Sequence, residues 1–456
     1  MVETKGIVGF HFENWSKTFS CKPQLFFVPK NIEELREIVL SAKANRKKVR
    51  VVGCGHSPSD ISCTNDYLVS LRYFNNVVQV DENRYLVKVE AGITLTELND
   101  HLQRHNLALS VLGAISDVTI GGVINTATHG SGANFNVISY YVNDLEMITA
   151  SGDIIKCSRN DKIDIFLSAL CGLGALGIII NVTLRCEPAF LLHQHIYPST
   201  LDEVLEDLND HTQSSDHFRF LWFPHTNYTS VWHTSRIYNK EITKQTKLES
   251  ICNWILDQGI GYYALEFCYW VSSYFPQIVP YINRFFFRIL YTRNRERVDI
   301  SPKLFNIECP FKQYVNEWSI PRENAPIALL ALRRMIESSN NIFAHFPIEV
   351  SFVKEDDIYL SPAFGRDSCY INIITYRPYG KHISYENYWT NYEKIMRELG
   401  GRPHWPYSHS VTATDFIKMY PYFRAFALIR KRLDPLNMFI NSYLERIFET
   451  FPREGM

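Results

Sequence analysis

The stretch "RVVGCGHSPSD", residues 50–60, joins a β-branched run to a glycine turn with a histidine at its tip. The valines predict a strand that stops at Gly53, and the Ser-Pro-Ser-Asp segment that follows is rich in turn formers. Because Gly53 and Gly55 have no Cβ, the backbone here can approach a phosphate closely, and successive N–H groups in such turns bind anions. Two interpretations follow: a ligand-holding loop with His56 against the ligand, or an ordinary strand end with a surface histidine.

The amino-acid composition and the net charge limit the classes of protein to which this chain can belong. The chain has 456 residues, enough for two or three domains, and its net charge of −1 argues against a nucleic-acid-binding surface. Its ten cysteines include no C-x-x-C pair and no Cys/His cluster with zinc spacing, so we predict no metal site. The N-terminus "MVETKGIVGFHFENW" has no apolar core. We therefore expect no secretory signal and free thiols in a reducing compartment.

Helices and strands are mixed along the first 190 residues. "NIEELREIVLSAKANRK" predicts a helix over 31–47 with Asn31 as its cap, and Thr94 with Glu97 predicts a capping box at the start of a second helix. Between these helices, β-type runs predict strands at "KVRVVG", "YLVSL", "NVVQVD" and "YLVKVEAG". No regular βαβ repeat appears, which indicates an α+β fold.

Two glycine-rich segments stand out further along. Residues 112–132, "LGAISDVTIGGVINTATHGSG", carry five glycines, which suggests either backbone wrapped closely around a ligand or an ordinary glycine-rich connection. Residues 172–177 match G-x-G-x-x-G, but the preceding "KIDIFLSALC" predicts a helix and the following "IIINVTLR" predicts a strand. A dinucleotide fingerprint needs the opposite order, so we exclude a Rossmann site.

The sequence pattern of helical and strand-like segments changes near residue 190, where we place a domain boundary. Residues 254–291 are the most hydrophobic stretch, but charges and prolines interrupt it, and its charge-free run of 267–283 is too short for a spanning helix. An aromatic and basic flank extends to residue 297. Residues 254–297 therefore predict either an element lying on an anionic membrane surface or a buried helical hairpin.

Five segments, in this order, carry a resemblance to a known family: "VVGCGHSPSD", "GAISDVTIGGVINTATHGSG", "FRFLWFPH", "GGRPHW" and "LDPLNMFINSYLE". From about Trp15 to Phe448 the chain resembles the FAD-linked oxidases of the vanillyl-alcohol-oxidase type. Within them it resembles the aldonolactone oxidases, and most of all their animal-type branch. The resemblance implies an α+β fold with a FAD-binding domain over 15–188, a larger α+β cap (substrate) domain over 189–420, and a C-terminal segment over 421–456 that returns to the FAD-binding domain.

The resemblance also answers the opening question, because it implies that FAD is bound covalently through His56. The other cofactor-binding residues that it implies are Val52, Gly53, Cys54, Gly55, Ser57, Pro58, Ser116, Asp117, Gly121, Gly122, Asn125, Thr128, His129, Gly130, Gly177, Ile178, Ile179 and Asn441. It further implies that Gly113 is a small residue beside the flavin that leaves room for dioxygen.

In the cap, the chain departs from the family pattern at two positions. A Glu-x-Arg pair is represented by Glu349 and Ser351, and a His-Trp-x-Lys motif retains His404 but has Tyr407 in place of lysine. The resemblance implies catalytic roles for Glu349, His404 and Tyr407. Serine carries no charge and tyrosine is neutral at pH 7, so two cations are missing. The sequence offers three compensating cations, Lys354, Arg377 and Arg402.

The activity that the resemblance implies is oxidation of a secondary alcohol of a sugar 1,4-lactone, with L-gulono-1,4-lactone converted to ascorbate and dioxygen reduced to hydrogen peroxide. Ser351 and Tyr407 leave an alternative, the same covalent-FAD chemistry on another polyol, alcohol or amine. A flavin-binding protein without turnover is a third possibility. The implied location is the endoplasmic reticulum membrane, with the cytosol or another organelle membrane as the alternative.

Overall fold

A computed structural model describes residues 5–237, 241–243, 255–306 and 311–448 of the protein. The elements form an N-terminal block with two larger sheets and two two-stranded sheets, a central block built on one large sheet, and a C-terminal helical segment. Mixed helices and strands confirm the predicted α+β class.

The N-terminal block contains a three-stranded parallel sheet of order β3-β5-β4 and a five-stranded antiparallel sheet of order β10-β9-β11-β7-β6. Its strands are β1 (Phe12–Glu13), β2 (Ser20–Cys21), β3 (Leu25–Phe27), β4 (Val49–Val52), β5 (Tyr67–Ser70), β6 (Val77–Asp81), β7 (Leu86–Glu90), β8 (Leu107–Ala108), β9 (Val142–Ile148), β10 (Ile154–Ser158), β11 (Ile178–Arg185) and β12 (Glu187–Pro188). Its α-helices are α1 (Ile32–Ala44), α2 (Leu95–Arg104), α3 (Ile120–Asn125) and α4 (Ile163–Ala169).

Local signals in this block act as predicted. The Asn31 side chain accepts a hydrogen bond from the Glu34 amide at the start of α1, and Thr94 and Glu97 form the capping box of α2. The glycines of 172–177 lie between α4 and β11, which confirms the helix-before, strand-after order and the exclusion of a Rossmann site.

The central block is an eight-stranded antiparallel sheet of order β16-β13-β15-β14-β18-β19-β17-β20 with helices around it. Its strands are β13 (Leu191–Thr200), β14 (His217–Trp222), β15 (Tyr228–Ile237), β16 (Arg295–Ile300), β17 (Gln313–Pro321), β18 (Ile348–Val353), β19 (Ser368–Tyr376) and β20 (Arg402–Pro403). Its α-helices are α5 (Leu201–Glu206), α6 (Leu208–Gln213), α7 (Leu265–Ser272), α8 (Val279–Leu290), α9 (Ser301–Phe305), α10 (Ala325–Ser338) and α11 (Glu386–Glu398).

The hydrophobic segment of 254–291 has one buried and one exposed side. Trp254 lies outside the described residues, and a π-helix over Ile255–Ala264 leads into α7 and α8. Phe286 and Phe287 are buried in a cluster with Phe223 and Phe346, whereas Phe285 is 56% exposed. Within the described residues, no helix has both the length and the apolar character that crossing a membrane requires.

The C-terminal helices α12 (Ala413–Met419), α13 (Phe423–Leu433) and α14 (Ser442–Phe448) contact the N-terminal block at α4 and at the turn of residues 60–62. Arg50 on β4 joins these segments: its buried guanidinium donates to the carbonyls of Ile61 (2.6 Å), Leu173 (3.0 Å), Gly174 (3.1 Å) and Phe439 (2.8 Å). Burial lowers the pKa of Arg50 to about 10, so it remains a cation at neutral pH.

Replacing Arg50 with methionine should lower the free energy of unfolding by about 3 kcal/mol, because four buried carbonyls lose a charged donor. Chemical denaturation of the folded protein measures the loss. Arg36→Met is the matched control, since exposed Arg36 donates through Nε to one carbonyl, that of Gly152. Its expected cost is about 1 kcal/mol or less. Equal losses in the two variants would contradict the role assigned to Arg50.

Candidate active site

A cavity of about 910 Å³ lies between the N-terminal block and one face of the large sheet, a volume suited to an organic cofactor and a small substrate. The N-terminal block contributes loop residues of the ranges 50–58, 112–131 and 173–179. The large sheet contributes alternate residues, because every second side chain of a strand faces the same side. These alternate lining residues are Gln194, Ile196, Arg219, Leu221, Trp232, Thr234, Gln313, Val315, Glu317, Glu349, Ser351, Asn372, Ile374 and Tyr376.

The loop after β4 brings His56 to the cavity wall. Gly55 has φ +72°, and a Cβ on Gly53 would lie 2.3 Å from Thr119 Oγ1, so both positions require glycine. The His56 ring is half-buried and stacks on Trp15, with ring centroids 5.8 Å apart. Burial lowers the pKa of His56, and its Nδ1 is buried without a hydrogen-bond partner among the described residues. A neutral imidazole with an unpartnered buried nitrogen fits a group that bonds to it from the cavity.

Most of the residues that the sequence assigns to the cofactor line this cavity. They are Val52, Gly53, Cys54, Gly55, His56, Ser57, Pro58, Gly121, Gly122, Asn125, Thr128, His129, Gly130, Gly177, Ile178 and Ile179. The three predicted catalytic side chains of the cap, Glu349, His404 and Tyr407, line the same cavity. The structure therefore brings together, at one place, residues from both ends of the chain.

Four predicted site residues do not line the cavity, and Asn441 is one of them. Its amide donates to the carbonyls of Asp60 (3.0 Å), Ile61 (3.1 Å) and Cys63 (2.9 Å). Asn441 therefore holds the turn that follows the His56 loop.

The other three lie in the loop before α3, where Asp117 is exposed. The Asp117 carboxylate accepts a hydrogen bond from Thr96 Oγ1 at 3.0 Å, and Ser116 Oγ is buried. A Cβ on Gly113 would lie 3.1 Å from Thr128 Cγ2 and 3.3 Å from the His129 carbonyl oxygen. A side chain at Gly113 would press on two residues that line the cavity without itself entering it.

Glu317 is the functional candidate that the sequence analysis missed. Its Oε2 lies 2.5 Å from His404 Nδ1 and 3.3 Å from His129 Nε2, and all three side chains are buried. The second ring nitrogen of each imidazole faces a carbonyl, that of Thr126 or Gly130. The ligand atoms of these three side chains lie within 4.8 Å of one another, which is also a spacing that a metal ion could bridge. One feature of the sequence pointed to Glu317: it is the acidic member of the alternating strand positions Gln313, Val315 and Glu317. The sequence did not show which side chains Glu317 would contact.

One carboxylate between two imidazoles can balance one positive charge. Burial raises the pKa of Glu317, but the neighbouring imidazoles outweigh burial and hold it well below its usual range. Burial lowers the pKa of His129, but Glu317 outweighs it and the net pKa is raised. For His404 burial prevails and the pKa is lowered. Of the two imidazoles, His129 is therefore the one whose protonation Glu317 favours beside the cavity.

Glu349 lies on β18, with Asn372 of β19 between it and Glu317 of β17. Burial raises its pKa, and Arg219, whose Nη1 is 3.6 Å from Glu349 Oε1, partly opposes this effect. Ser351, two residues further along β18, is buried beside it. A carboxylate with a raised pKa in a cleft is suited to exchange a proton with a bound ligand.

The three compensating cations proposed from the sequence lie elsewhere. Lys354 is exposed, Arg377 donates to the carbonyls of Ser16 and Lys17, and Arg402 donates to the carbonyls of Pro362, Phe364 and Met419. None of them lines the cavity. The Arg377 and Arg402 guanidiniums are engaged with carbonyls, and none of the three residues replaces the missing cations in the cavity lining.

Comparisons with known proteins agree with this site. A family profile described as D-arabinono-1,4-lactone oxidase matches residues 182–447, and one described as FAD binding domain matches residues 23–158. L-gulonolactone oxidases from Mus musculus and Scyliorhinus torazame are 48% and 47% identical, each over 97% of this chain and 99% of its own length. A solved structure of cholesterol oxidase from B. sterolicum has a TM-score of 0.78 at 15% identity and covers 96% of each chain, which shows a shared fold.

Proposed function

Since the chain belongs to the aldonolactone oxidase family of FAD-linked oxidoreductases, we propose that it oxidises a secondary alcohol of a sugar 1,4-lactone, with L-gulono-1,4-lactone as the substrate. The observation that carries the proposal is the meeting of the His56 loop and Glu349 at one cavity. FAD, when bound there, supplies the acceptor for the two electrons and the hydrogen that leave carbon. Dioxygen then becomes hydrogen peroxide, and the 2-keto lactone rearranges to ascorbate.

In this proposal each side chain has a stated task. Glu349 takes the proton of the reacting hydroxyl, because a hydride leaves carbon readily only as that proton is lost. An imidazolium at His129 would lie in the wall that the resemblance assigns to the flavin and would stabilise negative charge developing there, with its effect partly offset by the Glu317 carboxylate. His404 positions Glu317 through its short hydrogen bond.

The test of this function is anaerobic mixing of the purified holoenzyme with L-gulono-1,4-lactone while flavin absorbance is recorded. Rapid bleaching, followed on admission of air by one hydrogen peroxide per flavin reoxidised, is the expected result. Bleaching by another polyol, alcohol or amine but not by lactones would assign the alternative substrate class. A flavin that no candidate bleaches would identify a binding protein without turnover.

We also propose that FAD is attached covalently to His56, since the loop sequence is intact and Nδ1 is buried without a partner. Wild-type protein on a denaturing gel should retain flavin fluorescence, and His56→Ala should lose it completely while the fold survives. His101→Ala, at a histidine on α2 outside the cavity lining, is the control and should keep the fluorescence. Release of all flavin from denatured wild type into acid would contradict the attachment.

A further proposal places the protein on the endoplasmic reticulum membrane. Six aromatic side chains on the outward side of residues 255–290, here called the aromatic face, are 53–70% exposed: Tyr263, Phe267, Tyr274, Phe275, Tyr281 and Phe285. Exposed Arg284 and Arg288 flank this face on α8, as expected for an element on an anionic surface. Arg293, Arg295 and Arg297 instead line the cavity, so the membrane element is shorter than the predicted 254–297.

The double change Phe275→Ser with Phe285→Ser should reduce binding to phosphatidylserine-containing vesicles by about tenfold or more, because two exposed rings no longer insert. Co-sedimentation with the vesicles is the measurement. Leu428→Ser with Leu436→Ser removes two comparably exposed apolar side chains elsewhere and should leave binding unchanged. A wild-type protein that does not sediment with these vesicles at low salt would rule the proposal out.

A further inference from the structure

The substrate side of the cavity has a carboxylate, Glu349, but Ser351 stands where the family pattern has an arginine. We infer that Arg219, on the neighbouring strand β14, supplies the nearest positive charge to Glu349 and binds the oxygens of the lactone. This inference rests on the proposed function and identifies the residue that determines how the substrate is held.

The sheet register brings Arg219 to this place. Strands β14 and β18 are antiparallel, with Arg219 directly opposite Ser351. Directly opposite residues project from the same face of a sheet, so the guanidinium lies on the face that carries Glu349. On the other side, Trp232 of β15 is opposite Arg219, and the guanidinium carbon lies 4.5 Å from the Trp232 ring centroid. Stacking on the tryptophan therefore orients the guanidinium without using its N–H donors.

The hydrogen-bond donors of Arg219 distinguish it from other buried arginines. The Arg50 and Arg402 guanidiniums donate to three or more carbonyls each, and Arg236 makes a bidentate pair with Glu187 at 2.7 and 2.8 Å. The Arg219 guanidinium makes no hydrogen bond to another described residue, and its distance to Glu349 is 3.6 Å, too long for a hydrogen bond. It is only 11% exposed, and that surface lines the cavity. A buried cation whose donors face a cavity is a binding group for a ligand with several oxygens.

The chemistry explains why this cation matters. During oxidation the hydroxyl proton would pass to the Glu349 carboxylate, the hydrogen of the broken carbon–hydrogen bond would leave with its electron pair to the FAD of the proposed function, and the alcohol carbon–oxygen bond would become a carbonyl. Negative charge gathers on that oxygen in the transition state, and a guanidinium beside it stabilises the charge. Arg219 also favours the ionised form of Glu349, which is the form that accepts a proton.

The ionisation of Glu349 depends on groups from several elements. Burial raises its pKa, Arg219 of β14 lowers it, Glu317 of β17 raises it, and His129 from the loop after α3 lowers it. Removing the Arg219 charge should therefore raise the pKa of Glu349 further. The acidic limb of the pH profile of flavin reduction should move to higher pH.

The experiment compares wild type with Arg219→Met in the holoenzyme. Anaerobic flavin reduction by L-gulono-1,4-lactone should slow about 10²-fold, as for the loss of one transition-state donor. The acidic limb of the pH profile of flavin reduction should shift to higher pH. Binding of the lactone to the dithionite-reduced enzyme, measured by calorimetry, should weaken about tenfold. The double variant Arg219→Met with Ser351→Arg returns a guanidinium to the same face from the opposite residue, and should recover at least about tenfold of the lost rate.

Arg236→Met is the matched control, because it removes a stacked, paired arginine of the adjacent strand β15 that does not line the cavity. It should lower stability but leave the pH profile unchanged. Wild-type rate and pH profile in Arg219→Met would overturn the inference while leaving the proposed function intact. A slower Arg219→Met with an unshifted profile and no recovery by Ser351→Arg would also overturn it. A wild-type flavin that no lactone reduces would overturn both.

Discussion

Replacing Glu349 with glutamine should slow anaerobic reduction of the flavin by L-gulono-1,4-lactone by about 10²- to 10⁴-fold, the usual contribution of a general base. Glutamine keeps the shape of the side chain but cannot accept the hydroxyl proton. Glu349 lies in the cavity wall with Arg219 beside it, which is where such a base is needed. Stopped-flow absorbance of the bound flavin measures the rate directly, without the reoxidation step.

The pH dependence gives the same prediction a second readout. Because the pKa of Glu349 is raised by burial, the wild-type rate should fall as the pH drops through that pKa and the carboxylate becomes protonated. The glutamine variant should have lost this limb. Glu355→Gln, at an exposed glutamate on the loop after β18, is the control and should match wild type in rate and profile. If Glu349→Gln reduced its flavin at the wild-type rate, the base would be another group, with His404 the next candidate.

Replacing Glu317 with glutamine should lower the free energy of unfolding by about 4 kcal/mol near neutral pH, because it leaves a buried imidazolium at His129 without its counter-ion. The two side chains are each 8% exposed at the cavity wall, so solvent replaces the lost charge only in part. In this variant His129 should lose its proton more readily, because Glu317 no longer raises its pKa. Chemical denaturation over a range of pH measures both effects.

The sign of the pH dependence follows from the two shifts. The Glu317 pKa is lowered in the folded protein, so its contribution is present above the unfolded value of about 4.3 and is lost as the pH falls. The His129 pKa is raised, so its contribution is present below the unfolded value of about 6.5 and is lost as the pH rises through the folded value. The stability gap between wild type and Glu317→Gln should therefore be widest between these limits. If the stability difference between wild type and Glu317→Gln did not change with pH, Glu317 would not be the group that favours protonation of His129.

Much of the local structure could be predicted because the signals lie within a few residues of one another. Asn31 caps α1 through an amide three positions away, Thr94 and Glu97 form a box over the same distance, and Gly53 ends a strand of valines. The order of the five family segments likewise identified the FAD-linked fold, since each segment is contiguous. The hydrophobic and basic composition of residues 254–297 also indicated a membrane-surface or buried element, but not that Phe285 is exposed while Phe286 and Phe287 are buried.

The partners within the site were decided by tertiary structure alone. Glu317 meets His404 and His129 across 87 and 188 residues, and Arg219 meets Ser351 through the pairing of β14 with β18. A strand pattern determines which side chains share a face, but not which strand lies beside it or in what register. For the same reason Asn441 was assigned to the cofactor although it holds the carbonyls of residues 60–63, and Lys354, Arg377 and Arg402 were offered as cations that Arg219 and His129 provide. The sequence by itself determined the family, the fold class and the residue types of the site, whereas the charge balance around Glu349 depended on strand register, because electrostatic interactions act between neighbours in space.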